Sequence, residues 1–221
     1  MLNKPQMILL DLDGTLVDSV PDLAFCVDAM MEQLGLPTRG EEQARDWVGN
    51  GMERFVRRAL VGALKGEPDE ALFQRAYPIF LQLYAENTAQ RSTVYPGVCD
   101  ALDYMQAMEY PLGCVTNKAS SFTETLLKEL GLWDYFGVVV CGDTLSTKKP
   151  DPAPLLYAAR KLNATPLQSL MIGDSVNDVR AARSAGFQVV CVSYGYNHGE
   201  DISKAMPDRV VDSLLDLMGT I

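Results

Sequence analysis

Met7-Ile8-Leu9-Leu10-Asp11-Leu12-Asp13-Gly14-Thr15 is the stretch on which the reading of this chain turns. Four apolar residues in a row, without polar alternation, suit a strand covered on both faces, as parallel sheets require. The run stops at two aspartates one residue apart, followed by a glycine and a threonine, a composition that favours a turn. A buried strand ending this way puts carboxylates at the carboxyl edge of a sheet. Open α/β sheets bind their ligands at that edge.

Working outward, four further apolar runs read as parallel strands: Leu112–Val115, Val138–Cys141, Leu170–Ile172 and Val189–Val192. Helix-like stretches separate the later ones. Phe122–Leu130 follows Ser120 and Ser121 and ends at Gly131; Pro154–Leu162 comes next, and Asp178–Ala185 ends at Gly186. The alternation predicts an α/β fold, a doubly wound parallel sheet with a Rossmann-like core. The interval from Leu16 to Thr93 breaks this rhythm and contains no convincing strand. Leu23, Val27, Met30, Met31 and Leu34 recur at helical spacing after Ser19, a candidate N-cap, and helical stretches follow over Met52–Leu64 and about Asp69–Glu86. A parallel crossover needs only about a dozen residues. The excess predicts an all-helical cap over residues 16–93, inserted into a core of residues 1–15 and 94–221. Tyr95-Pro96-Gly97 marks the re-entry turn.

Composition narrows the chemistry. The 221 residues carry 19 Lys+Arg against 29 Asp+Glu, a formal charge of −10, with 48% hydrophobic and 22% charged residues. These proportions are those of a globular chain, and the acidity argues against nucleic-acid and anionic-membrane partners. No apolar run approaches a membrane span, and the first residues lack a signal-peptide pattern. Five scattered cysteines (Cys26, Cys99, Cys114, Cys141, Cys191) form no CxxC pair, which predicts a reducing cytoplasm. A single histidine, His198, excludes zinc sites built on two or three histidines. There is no GxxxxGK[ST], GxGxxG or GxSxG, and no cysteine has an arginine six positions on. Carboxylates remain as the groups to do chemistry.

Each informative strand runs into polar residues: Asp11 and Asp13 after the first, Thr116-Asn117-Lys118 after the second, Lys148-Lys149-Pro150 a loop beyond the third, and Gly173-Asp174-Ser175-Val176-Asn177-Asp178 after the fourth. Four acids, a hydroxyl and an ammonium therefore converge on one crevice. Clustered carboxylates repel unless some take up protons or a cation sits among them. An all-oxygen donor set without histidine or cysteine favours Mg²⁺. Such an ion bridges to phosphate oxygens, Lys149 adds positive charge, and Thr116 offers a hydroxyl donor.

With Asp11-x-Asp13-Gly14-Thr15, Thr116, Lys149 and Gly173-Asp174 with Asp178 in this order, the chain resembles the haloacid dehalogenase-like superfamily of phosphohydrolases. The resemblance implies that Asp11 is the nucleophile forming an aspartyl-phosphate, and that Asp13 protonates the leaving alcohol and then activates water. It also implies that Mg²⁺ is held by Asp11, the Asp13 backbone carbonyl and Asp174, with Asp178 nearby or bridging through water. Thr116, Asn117 and Lys149 are the expected substrate contacts, joined by Asn50 from the cap. Asp11–Ser19, Val48–Gly51, Lys148–Leu156 and Tyr194–Gly199 are similar to the bacterial phosphoglycolate phosphatases within the superfamily.

The expected partner is a small phosphorylated metabolite, 2-phosphoglycolate first, in a monomer or a dimer. Sugar-phosphate or pyrophosphate hydrolysis, a β-phosphoglucomutase-like transfer, a phosphonate hydrolase using Lys65, and a non-catalytic metabolite-binding regulator stand as alternatives. Several residues keep a structural reading beside the functional one. Asp178 suits the first turn of a helix, Lys118 suits a solvated helix start as well as a substrate's anionic tail, Gly49 and Gly51 suit a helix break, and His198 suits an exposed loop.

Overall fold

A computed structural model describes residues 2–221. The chain opens with β1 (Met7–Leu10) and β2 (Val17–Asp18), then runs through α1 (Val20–Gln33), α2 (Gly40–Trp47), α3 (Met52–Val61) and α4 (Glu70–Asn87). It returns through β3 (Thr93–Val94) and α5 (Val98–Ala107) to β4 (Leu112–Val115), α6 (Ser120–Glu129) and β5 (Val138–Val140). The last part holds α7 (Ala153–Lys161), β6 (Ser169–Gly173), α8 (Val176–Ala185), β7 (Gln188–Val192) and β8 (Arg209–Val211).

Six strands form one parallel sheet in the order β5-β4-β1-β6-β7-β8, an α/β fold wound to both sides of β1. Leu9 stands opposite Gly113 on one neighbour and Met171 on the other. The apolar run of β1 splits by alternation, as strand geometry demands. Ile8 and Leu10 pack with Leu102, Leu126 and Leu127 of α5 and α6, whereas Met7 and Leu9 pack with Leu155, Val179 and Ala182 of α7 and α8. With both faces covered, the strand has no polar side, which is why its sequence shows none.

The stretch expected to lack strands begins and ends in a two-residue antiparallel ribbon, with Val17 opposite Val94 and Asp18 opposite Thr93. Between them α1–α4 bury their own cluster, including Met30, Met31, Trp47, Phe55, Phe80 and Tyr84. Phe80 lies with its ring centroid 5.8 Å from both Phe55 and Tyr84. Each large apolar side chain fully buried in this way contributes about 1.5–3 kcal/mol. Ser19 precedes α1 but makes no capping hydrogen bond; its hydroxyl is used elsewhere. Asp69 does cap α4, accepting from the Leu72 amide at 2.9 Å.

Among the described residues, no helix is long and apolar enough to cross a membrane. β8, α2 and α5 were not expected from the sequence, and α8 starts two residues before Asp178.

Candidate active site

The turn after β1 fixes the first two acids. The Leu12 carbonyl accepts from the amides of Thr15, Leu16 and Val17, and Gly14 turns the chain at φ 88°. Asp11 is buried, and its Oδ1 accepts from the Leu12 amide at 2.8 Å and lies 2.8 Å from Lys149 Nζ. Among the described residues no hydrogen bond reaches Asp11 Oδ2, so that oxygen keeps its lone pairs. Burial pushes the Asp11 carboxyl up to about 7; Lys149 opposes the rise, and Asp178 and Asp13 add to it.

Lys149 arrives on the loop after β5 with all three ammonium protons committed. They go to Asp11 Oδ1, to Asp178 Oδ1 at 2.7 Å and to the Val115 carbonyl at 2.6 Å. Burial alone lowers its pKa, but the Asp11 and Asp178 carboxylates outweigh that and hold it above the ordinary lysine value. Asp178 occupies the third position of α8 in a capping box: its Oδ2 accepts from the Ser175 amide at 3.0 Å and the Ser175 hydroxyl at 2.8 Å. The first-turn reading and the ion-pair reading of Asp178 therefore hold together, one on each oxygen. Asp174 lies between the Thr15 hydroxyl, donating at 3.0 Å, and the Tyr196 amide, donating at 2.5 Å. Burial, reinforced by Asp11 and Asp178, raises its pKa well above the usual carboxylate range.

Asp11, Asp174 and Asp178 bring carboxylate oxygens within 4.8 Å of one another. With Asp13 included, four carboxyl groups face only two ammonium groups, Lys149 and Lys118, a shortfall of positive charge that the raised pKa values of Asp11 and Asp174 reflect. A cluster of oxygen donors with that deficit fits a hard divalent cation.

Asp13, Thr116, Asn117 and Lys118 join Asp11 around a small cavity that the helical insert closes with Leu23, Val48, Gly49, Gly51, Met52 and Phe55. Asp13 accepts from Lys118 Nζ at 2.8 Å and from the Ser19 hydroxyl at 2.5 Å. Lys118 is thus buried, not the solvated helix-start residue that its position suggests. The Thr116 hydroxyl accepts from the Lys118 amide at 3.1 Å and keeps its own proton to donate.

Two expected substrate contacts are placed differently. The Asn117 amide nitrogen donates to the Gly49 and Lys149 carbonyls at 3.1 and 2.9 Å, so it has no donor to offer a ligand. Asn50 Oδ1 accepts from Arg58 at 2.8 Å, and Asn50 is not among the residues lining the cavity. The Val48–Gly51 loop is instead held to the sheet unit by its backbone. The Gly49 carbonyl takes donors from Asn117 and Asn177, the Asn50 carbonyl takes Lys148 Nζ at 3.1 Å, and the Asp46 carbonyl takes His198 Nδ1 at 2.7 Å. A carbonyl only accepts, so Nδ1 carries the histidine proton. His198 is therefore half-buried and engaged, contrary to the exposed loop expected. The Tyr196 hydroxyl completes the tie by donating to Asp18 while accepting from the Ser19 amide.

Sheet order, strand-end acids and helical insert together define the class. The chain belongs to the haloacid dehalogenase-like hydrolases, whose family profile matches residues 8–192. Among relatives, it is 60% identical to the phosphoglycolate phosphatase of Nitrosococcus oceani over 98% of this chain and 96% of that protein. It is 42% identical to phosphoglycolate phosphatase 1 of Pseudomonas aeruginosa over 97% of this chain and 79% of that one. The crystal structure of a predicted phosphoglycolate phosphatase from Haemophilus somnus 129pt superposes with a TM-score of 0.93 at 35% identity, covering 100% of this chain and 99% of that one. Family and relatives make the chain a phosphoric monoester hydrolase.

Proposed function

We propose that the enzyme hydrolyses 2-phosphoglycolate to glycolate and inorganic phosphate through an aspartyl-phosphate on Asp11. The observation that carries the mechanism is the pairing of an unengaged Asp11 Oδ2 with Asp13 in the wall of one small cavity. Asp11 Oδ2 attacks phosphorus, the bond to the glycolate oxygen breaks, and Asp13 delivers a proton to that oxygen. Asp13 then takes a proton from water, whose oxygen attacks the phosphorus and frees Asp11. Lys149 holds Asp11 Oδ1, which leaves Oδ2 as the attacking atom. The Thr116 hydroxyl donates to a phosphoryl oxygen.

We assign the cation to Mg²⁺, held by Asp11, Asp174 and the Asp13 carbonyl, with Asp178 reached through water because both of its oxygens already accept hydrogen bonds. When bound, it withdraws charge from the phosphoryl group. Residues 16–93 act as the cap and residues 1–15 and 94–221 as the catalytic core, divided at the β2–β3 ribbon.

The relatives' activity supports phosphoglycolate, and so does the cap wall. Leu23, Val48, Met52 and Phe55 offer no hydrogen-bonding side chain to the hydroxyls of a sugar phosphate. Each hydroxyl left unpaired there costs about 1–3 kcal/mol. Lys65 is exposed and outside the cavity, which leaves a phosphonate route without its amine. The five cysteines are free and four are buried, in keeping with a reducing cytoplasm. Purified protein with Mg²⁺ releases phosphate from 2-phosphoglycolate on this reading, and Asp11→Asn abolishes the release. Activity surviving Asp11→Asn overturns the mechanism, and a higher kcat/KM for a sugar phosphate or pyrophosphate overturns the substrate.

A further inference from the structure

We propose that Lys118 anchors the second anionic group of the substrate, and that this contact makes the enzyme prefer a short phosphorylated acid to a phosphomonoester with a neutral tail. The inference rests on the reading of Asp11 as the phosphoryl acceptor and deepens it.

The Lys118 side chain is fully buried, and its Nζ lies 2.8 Å from Asp13 Oδ1. On its other side the ammonium sits 5.1 Å from the centroid of the Tyr84 ring, contributed by α4. An ammonium has three protons to donate. One goes to the Asp13 carboxylate, and the buried Tyr84 hydroxyl, without another partner among the described residues, is placed to take a second, which leaves one proton for a ligand. A buried ammonium with a donor to spare is costly unless something accepts it. Lys149 shows the contrast, since its three protons are all used within the protein.

The cavity wall leaves few other candidates for an anion. The four cap side chains are apolar, the Asn117 amide group is spent on two carbonyls, and the two aspartates repel. Only the Thr116 hydroxyl and the Lys118 ammonium remain as side-chain donors facing the space. With Thr116 on the phosphoryl group, a carboxylate tail has Lys118 alone as its cation. Lys118 pairs with Asp13, one residue removed from Asp11, so phosphorus and tail lie close together. The apolar wall opposite disfavours a longer polar chain. A carboxylate one carbon from the phosphate ester oxygen meets both conditions.

The test compares 2-phosphoglycolate with ethyl phosphate, in which a methyl group replaces the carboxylate. Calorimetry in the Asp11→Asn background with Mg²⁺ reads binding without turnover. The acid is expected to bind roughly 10- to 100-fold more tightly, the worth of one charge-assisted hydrogen bond. Adding Lys118→Met is expected to collapse that ratio towards one, while Lys118→Arg retains part of it. Equal affinities in the Asp11→Asn protein overturn the proposal without any substitution at Lys118. So does a ratio that survives Lys118→Met in protein whose thermal melt shows it folded. Turnover of 2-phosphoglycolate by the unaltered enzyme is measured separately. If turnover is absent while the Lys118-dependent ratio persists, the assigned reaction fails and the anchor stands.

Discussion

Gly195→Ala tests whether Asp174 is a metal ligand, without touching the carboxylate itself. Gly195 directly follows Tyr194, and a Cβ built on it would collide with Asp174 Cβ first and lie 2.6 Å from both Asp174 Cγ and Oδ2. Ordinary contact begins at 3.4 Å, so the whole Asp174 side chain, from Cβ outward, has to retreat by more than about 0.8 Å. Retreat is blocked on another side, where the Gly14 backbone approaches so closely that its own added Cβ would lie 2.9 Å from Asp174 Cγ. The Asp174 carboxylate is gripped between two backbones that lack side chains, and the Tyr196 amide bond at 2.5 Å fixes its angle. Overpacking of this kind costs about 1–3 kcal/mol in folding. Disturbing the residues that orient a ligand costs about 10- to 100-fold in metal affinity. Calorimetric titration with Mg²⁺ should show that loss, and thermal unfolding in chelator should report the packing cost separately. Affinity within twofold of the unaltered enzyme, in protein that melts normally, would refute the assignment of Asp174 to the metal.

Asn117→Ala and Asn177→Ala each remove one donor from the Gly49 carbonyl, at 3.1 and 3.2 Å, and each should favour release of the Val48–Gly51 loop by about 1 kcal/mol, roughly fivefold. Because they share an acceptor, the double variant should cost more than the two single losses added; amide exchange across α3 measures it, and unchanged exchange removes the clasp. His198 makes a pH prediction. Burial holds its pKa below 6.5, with Arg58 acting in the same direction and the Asp46 carbonyl and carboxylate opposing. The unfolded chain then binds more protons than the folded one as pH drops through 6.5, so stability falls from there towards the folded pKa. Unfolding free energies at pH 7.5 and 5.5 should differ less in His198→Asn; an identical slope shows that His198 contributes nothing.

What was legible in the sequence depended on whether a residue's partner lay nearby in the chain. β1 could be read because its four residues are buried on both faces and the acids follow at once. β8 could not: of its three residues only Val211 is buried, and Val210 is exposed at the edge of the sheet. α2 hid for a related reason, burying only Ala44 and Trp47 in a highly charged stretch. Lys118 illustrates the same limit at the site. At a helix start, water is the default partner of an ammonium, whereas here Asp13 and Tyr84 replace it from 105 and 34 positions earlier in the chain. Asn50 and Asn117 show the limit differently. Their amides looked available for a ligand, but backbone carbonyls and Arg58, brought close only by docking the helical insert, claim them first.

Charge balance links the fold to ligand binding at the site. An acidic chain of net charge −10 has to admit a phosphorylated, and so anionic, substrate. Lys149 cannot greet it, since its protons are spent holding Asp11 and Asp178 in place. Lys118 is already paired with Asp13, so its charge is half neutralised before any ligand arrives. Where the strand-end carboxyls are ionised, they repel a phosphoryl group at short range, in a space whose apolar walls screen poorly. A divalent cation bound there would cancel that charge, so binding of a phosphorylated ligand is expected to strengthen with Mg²⁺, which calorimetry with and without the metal checks. The aspartates that make the chain acidic then become the reason it can hold an anion.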